Sequence, residues 1–319
     1  MTLPYDKSAA IVVLPSLAGD RVSDSRLRRW LSRATVSRCE RPRERLQNVL
    51  DCLCLPYPEQ GLGALRLWGQ TGDRPTAWIA AADPVYLEPR LTTLCLHALQ
   101  GDDMPGSDLR EIFDYLQQRL AGNDRYGFVR IGAHGYVRAS TPLPTAQAPA
   151  CVIDGLAPND YLPAGDATAS HHVLHGEVEM ALHEHALNLR RESDGRLPVN
   201  SLWLWGGGIA PEQTTEPRPP LFADDALLRG YWLSKTGVVD AWPGSIGACL
   251  DAAIAGFVAI PDVQNGDVQT CLEELRVALQ TERISKLTLL LEDGYIVELR
   301  RSDAWRFWRR RTAIFGSAA

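Results

Sequence analysis

The stretch 171–211 constrains the fold more than any other part of the chain. It joins a helix-period segment, HHVLHGEVEMALHEHALNLRRE, through a polar turn to the strand-like NSLWLWGGGIAP. Leu174, Val178, Leu182 and Leu189 recur at spacings that line one side of a helix, with Ala181 and His185 in the same stripe. Beside them His175, Glu179 and His183 stand at i, i+4 and i+8, one above another. Asp194 and Gly195 stop the helix. Residues 201–205 read as a buried strand, in which Trp203 and Trp205 alternate with Leu202 and Leu204 so that both faces are covered. Gly206, Gly207 and Gly208 then let the backbone turn where a side chain would obstruct it.

The rest of the chain alternates. The β-branched run AAIVVL at 9–14 is a first buried strand, followed by a loop with Pro15, Ser16, Gly19 and Asp20. In open α/β sheets ligands sit at the carboxyl ends of strands, so 15–20 is where a first catalytic acid belongs, and Asp20 alone is available there. Helices are expected over 24–34, 42–53, 107–120, 224–232, 246–257 and 271–280. Strands are expected over 64–68, 76–82 and 91–97, with Cys151 opening a short one. Asp83, before Pro84, marks a strand-to-loop junction. Hairpins fall around Ala133-His134 and, at 286–300, around Asp293-Gly294. The class is therefore α/β, a mostly parallel sheet with flanking helices and a carboxy-terminal β-hairpin. The chain reads as one α/β unit, 1–319, and the proline-rich connector 141–163 is where it would subdivide, into 1–140 and 164–319.

Composition narrows the function classes. No apolar run reaches the roughly 18 residues of a membrane span, and MTLPYDKSAA lacks the order of a signal peptide, so a cytoplasmic address is expected. The seven cysteines are scattered without disulfide or zinc-knuckle spacing, and read as reduced, mostly small core residues. A net charge of −6 argues against general nucleic-acid binding. The nine arginines and three acids of 21–45 read as a solvated basic face, because no recognition motif accompanies them. Gly244-Ser245-Ile246-Gly247 lacks the first glycine of a nucleophile elbow. Gly61-Leu62-Gly63 lacks the third glycine of a dinucleotide loop.

Four segments, ADPVYL (82–87), LPAGD (162–166), HGEVEMALHEHALNLRRE (175–192) and NSLWLWGGGIAP (200–211), follow one another in an order that resembles the RpfE-type bacterial regulatory proteins. The similarity runs on to the WRFWRR near the carboxy terminus. It implies a regulatory role, tied in that family to virulence-factor or extracellular products. That family is in turn distantly similar to the archaeal-type cofactor-independent phosphoglycerate mutases of the alkaline-phosphatase-like superfamily, which implies a core of that kind. His185, Asn188 and Arg191, followed by Asn200 and the glycines, match the mutase region associated with the phosphorylated substrate. Two departures stand against catalysis. The first strand ends in Pro15-Ser16 where the mutases place a metal-binding Asp-Gly, and no Gly-Asp-His segment or histidine follows His185.

The resemblance and the chemistry together nominate a ligand set: Glu177, Asn188, Arg191, Glu192, Asn200, Gly206, Gly207, Gly208 and Asp83. Glycine amides and an arginine fork suit an oxyanion. The alternative for Glu177, Asn188, Arg191 and Glu192 is a capping and salt-bridge network that fixes the helix against the glycine turn. His183, His185 and Arg191 would serve a rearranged phosphomutase or phosphatase. His175, Glu179 and His183 could share a divalent ion such as manganese or zinc, against the expectation of no cofactor. The reading is a non-catalytic protein with a small anionic ligand or a protein partner.

Overall fold

The computed structural model describes residues 8–39, 43–122, 124–163, 168–183, 185–253, 256–263, 267–305 and 313–316. The chain forms two units, Met1–Tyr57 with Gln213–Ala319, and Pro58–Glu212. The connector 141–163, where a division was expected, lies inside the second unit. There Ala146 donates to the Leu204 carbonyl and accepts from the Gly206 amide, so its backbone is tied to a strand. Asp166 and residues 306–311 of the carboxy-terminal basic cluster lie outside the described residues.

The first unit opens with β1 (Ala9–Leu14), α1 (Ser25–Leu31), β2 (Thr35–Arg38) and α2 (Arg45–Cys52). The second unit then begins with α3 (Leu62–Thr71), which corrects the strand expected at 64–68. A short apolar run fits either structure by periodicity alone. Here Arg66 and Gln70, one turn apart, donate to the Gly135 and Ile131 carbonyls. After it come β3 (Ile79–Pro89), β4 (Leu94–Ala98), α4 (Gly106–Leu120), β5 (Tyr126–Ile131), β6 (His134–Ala139), α5 (Thr168–His183), α6 (Ala186–Ser193) and β7 (Ser201–Gly208). Cys151 falls in a 3-10 turn rather than a strand.

The named strands of the second unit pair antiparallel, β3 with β7 along one edge and with β6 and then β4 along the other, and β5 with β6, while Ala146 makes a parallel bridge to Trp205 of β7. Asp83 and Pro84 sit mid-strand, not at a strand-to-loop junction. The β6 ladder ends at Ala82 and the β4 ladder starts at Val85; beside it the Leu99 amide still donates to the Pro84 carbonyl, and the proline, with no N–H, returns no bond. One face of this sheet packs Ala80, Ala82, Leu202 and Leu204 against Leu109, Phe113, Leu174, Val178 and Leu182 of α4 and α5.

The first unit resumes with β8 (Leu221–Phe222), α7 (Ala226–Ser234), β9 (Val239–Asp240), α8 (Ile246–Ala252), β10 (Val258–Ala259), α9 (Asp267–Gln280), β11 (Lys286–Leu291) and β12 (Tyr295–Arg300). Its seven-stranded sheet has the order β2-β12-β11-β1-β10-β8-β9. Strands β11, β1, β10, β8 and β9 run parallel, and the expected Asp-Gly hairpin adds β12 antiparallel at one side. Ala10, Val12 and Leu14 join a core with α1, α8 and α9, while Ile11 and Val13 are buried as well. Burial on both faces is what a central parallel strand requires. Of the seven cysteines only Cys95, Cys249 and Cys271 are buried, fewer than expected.

Candidate functional site

The helix expected over 171–192 is two helices, α5 and α6, with His185 between them in an extended conformation. Its Nδ1 accepts from the Leu187 amide at 3.2 Å, an N-cap in place of the core position that the period suggested. Its ring packs edge-on against Tyr115, and burial lowers the imidazole from its ordinary range. The break re-phases the apolar stripe, so that Leu187 is buried while Leu189 is 68% exposed.

Asn188 bridges this break to the next strand. Its amide donates to Leu182 O at 2.8 Å and Val199 O at 2.9 Å, and its oxygen accepts from Val199 N at 2.8 Å. Arg191, 2% exposed, donates Nε to Leu197 O, Nη1 to Asp108 Oδ2 and Nη2 to Asp103 O, all within 2.8 Å. Arg196 reinforces the same turn through Asp108 and the carbonyls of Asp102 and Asp103. Asn200 mimics a strand residue, exchanging both hydrogen bonds with the Leu87 backbone at 2.8 and 2.9 Å. Asp83 accepts from Arg66 Nη1 at 2.8 Å and from Trp205 Nε1 at 2.6 Å. The Arg66 guanidinium lies about 5 Å from the Tyr136 and Trp205 ring centres, sandwiched as a buried cation.

The glycines serve close packing. A Cβ on Gly206 would lie 2.7 Å from Leu62, one on Gly207 2.4 Å from the Trp78 ring, and one on Gly208 2.5 Å from the Gly61 amide. On the helix side a Cβ on Gly63 would meet Ala81 N at 2.4 Å. The paired glycines thus let the start of α3 rest directly on β3 and β7. The Gly206 and Gly207 amides donate to Ala146 O and Thr145 Oγ1, each at 2.8 Å. Amides already bonded in this way are not offered to an anion.

The nominated residues therefore split. Asn188, Arg191, Asn200, Asp83, Gly206 and Gly207 are joined to internal partners, while Glu177 and Glu192, the other two members of the capping and salt-bridge alternative, are exposed. His183, His185 and Arg191 do not converge: His183 is exposed, His185 is a cap and Arg191 is buried. His175 donates from Nδ1 to Glu179 at 3.1 Å, and its Nε2 meets the Ser201 hydroxyl at 3.1 Å. This has the connectivity of a hydrolytic triad. Ser201 is fully buried at the start of β7, however, so its oxygen meets no substrate. His171, stacked on His175, donates Nδ1 to Pro144 O and has a buried, unpartnered Nε2; burial pushes its imidazole down to about 4.

In the first unit, Ser16 at the end of β1 is hydrogen-bonded to Asp293 in the β11–β12 turn, and Arg45 pairs with Glu292 at 2.9 Å and Asp225 at 3.4 Å. Among the described residues, the one set of three potential ligands within reach of one another is Glu88, Cys95 and His97, in the other unit. Sequence reading missed it because strand pairing, not spacing, brings it together.

Over 197 residues the chain is 27% identical to a probable 2,3-bisphosphoglycerate-independent phosphoglycerate mutase of Geobacter sulfurreducens, covering 60% of this chain and 47% of that protein. Over 114 residues it is 36% identical to the corresponding mutase of Methanothrix thermoacetophila, covering 31% and 26%. The chain is distantly similar to cofactor-independent phosphoglycerate mutases. It spans less than half the length of these relatives. Among solved structures, a Pyrococcus horikoshii protein superimposes with a TM-score of 0.51 at 10% identity, covering 92% of this chain and 87% of that one, and so shares the fold. The cofactor-independent phosphoglycerate mutase of Thermoplasma acidophilum gives 0.40 at 17% identity, covering 92% and 90%. No family model matches the chain. Among the described residues no helix is long and apolar enough to cross a membrane.

Proposed function

We propose that this chain is a non-catalytic regulatory protein on a phosphoglycerate-mutase-like scaffold, of the RpfE type that it resembles, acting through a protein partner or a small anionic ligand. One observation carries the reading: Arg191, the charged residue of the mutase-like motif, gives its Nε, Nη1 and Nη2 to partners within its own unit and is 2% exposed. A phosphate at that place would have to displace a carboxylate and two carbonyls. The end of β1 supports the same reading, since Ser16 there is bonded to Asp293.

The test is a mutase and phosphatase assay on the purified chain with manganese, alongside calorimetric titration of 3-phosphoglycerate. The expected outcome is no turnover and no heat of binding at the motif. Turnover that disappears in His183→Ala would instead establish a divergent phosphomutase or phosphatase. A 3-phosphoglycerate affinity lost in a folded Arg191→Lys variant would return the anion to the motif.

A further inference from the structure

Strands β3 and β4 pair so that Glu88 stands directly opposite Cys95, and Tyr86 opposite His97. Directly opposed residues of an antiparallel pair project from the same face, and Cys95 and His97, two apart, share that face as well. One carboxylate, one thiol and one imidazole thereby present ligand atoms within 4.8 Å of one another. The His97 Nε2 to Glu88 Oε2 distance is 3.0 Å.

We propose that Glu88, Cys95 and His97 form a binding site for one zinc-class divalent cation, tetrahedral, with its fourth position open to solvent. The donor set is mixed and includes sulfur, which disfavours magnesium and calcium and suits zinc or cobalt. A tetrahedral ion asks for ~3.3 to ~3.8 Å between ligand atoms at ordinary zinc bond lengths. The His97–Glu88 distance opens slightly and the thiol closes in, changes within reach of side-chain rotation.

The surroundings hold the ligands in place. The His97 ring lies 6.0 Å from the Tyr86 ring and near-parallel to it, which orients the imidazole. The outer edge of β4 is fixed too: Leu96 exchanges hydrogen bonds with Leu156 and Gly155, and the Ala98 amide donates to Asp154. Cys95 is 2% exposed, whereas the Glu88 and His97 side chains are 41% and 31% exposed. The sulfur therefore anchors the ion from the inside, and the other two approach from the wet side. Arg90, which donates to Glu88 Oε2 at 3.2 Å, is 53% exposed and free to swing into solvent. Binding releases the thiol proton of Cys95 to solvent and moves the proton of neutral His97 from Nε2 to Nδ1, which frees the Nε2 lone pair.

The experiment titrates cobalt(II) into the reduced, chelator-treated full chain and then displaces it with zinc. One equivalent of cobalt should bind with a thiolate-to-cobalt charge-transfer band, and one equivalent of zinc should abolish the band. Cys95→Ser should lack the band while Cys151→Ser keeps it, and His97→Ala and Glu88→Gln should each weaken binding at least ~10-fold. The proposal is overturned by the absence of saturable one-to-one binding, by a band that survives Cys95→Ser, or by affinity unchanged in both His97→Ala and Glu88→Gln. If buried Cys95→Ser fails to fold, the latter two variants, at part-exposed positions, decide by affinity alone.

Discussion

Replacing Arg191 with alanine removes three hydrogen bonds at once and leaves Asp108, whose side chain is 16% exposed, without its best partner. The carbonyls of Asp103 and Leu197 lose a donor in the same step. Breaking a buried ion pair from one side costs about 3–5 kcal/mol. Arg196, 3.4 Å from the same Asp108 oxygen, takes over part of the charge and favours the lower end of that range. With a urea slope of roughly 2 kcal/mol per molar, the unfolding midpoint should fall by roughly 1.5–2 M. Urea denaturation followed by circular dichroism reads this directly. Arg191→Lys should recover only part of the loss, because an ammonium cannot reproduce the fork that reaches three acceptors. A loss below ~1 kcal/mol, the level of an exposed ion pair, would refute the structural role and return Arg191 to the ligand site.

Other outcomes are equally open to measurement. Asn188→Ala should cost on the order of 3 kcal/mol, since it leaves the Leu182 and Val199 groups unpaired; chemical denaturation checks it. Gly63→Ala should destabilise by ~1–3 kcal/mol or prevent folding, because its Cβ meets backbone at 2.4 Å. Gly176→Ala, with open space around it in α5, should stabilise by ~0.5–1 kcal/mol in the same assay. His171 titrates at about 4 when folded against 6.5 ordinarily, so its contribution is complete above pH 6.5 and lost as pH falls through 4. The stability difference between wild type and His171→Phe should therefore shrink across that window by up to ~3 kcal/mol, and a pH-independent difference would exclude the cause.

The sequence by itself determined the elements whose period or punctuation is local. AAIVVL is β1, Asp293-Gly294 turns the last hairpin, and the strand in which Trp203 and Trp205 alternate with Leu202 and Leu204 is buried on both faces as read. It did not determine what depends on partners distant in the chain. The run at 64–68 satisfies a strand or a helix until β3 and β7 lie beneath it, and the break at His185 is stabilised by Asn188 reaching Val199. A triple glycine looks the same whether it cradles an anion or admits a helix; only Leu62, Gly61 and Trp78, within 2.7 Å of where its side chains would be, decide the matter. Glu88, Cys95 and His97 carry no spacing signature, because a cross-strand register brings them together. Tertiary structure decided these points because free donors, open space and converging ligands are properties of what surrounds a residue, and local sequence specifies only the residue.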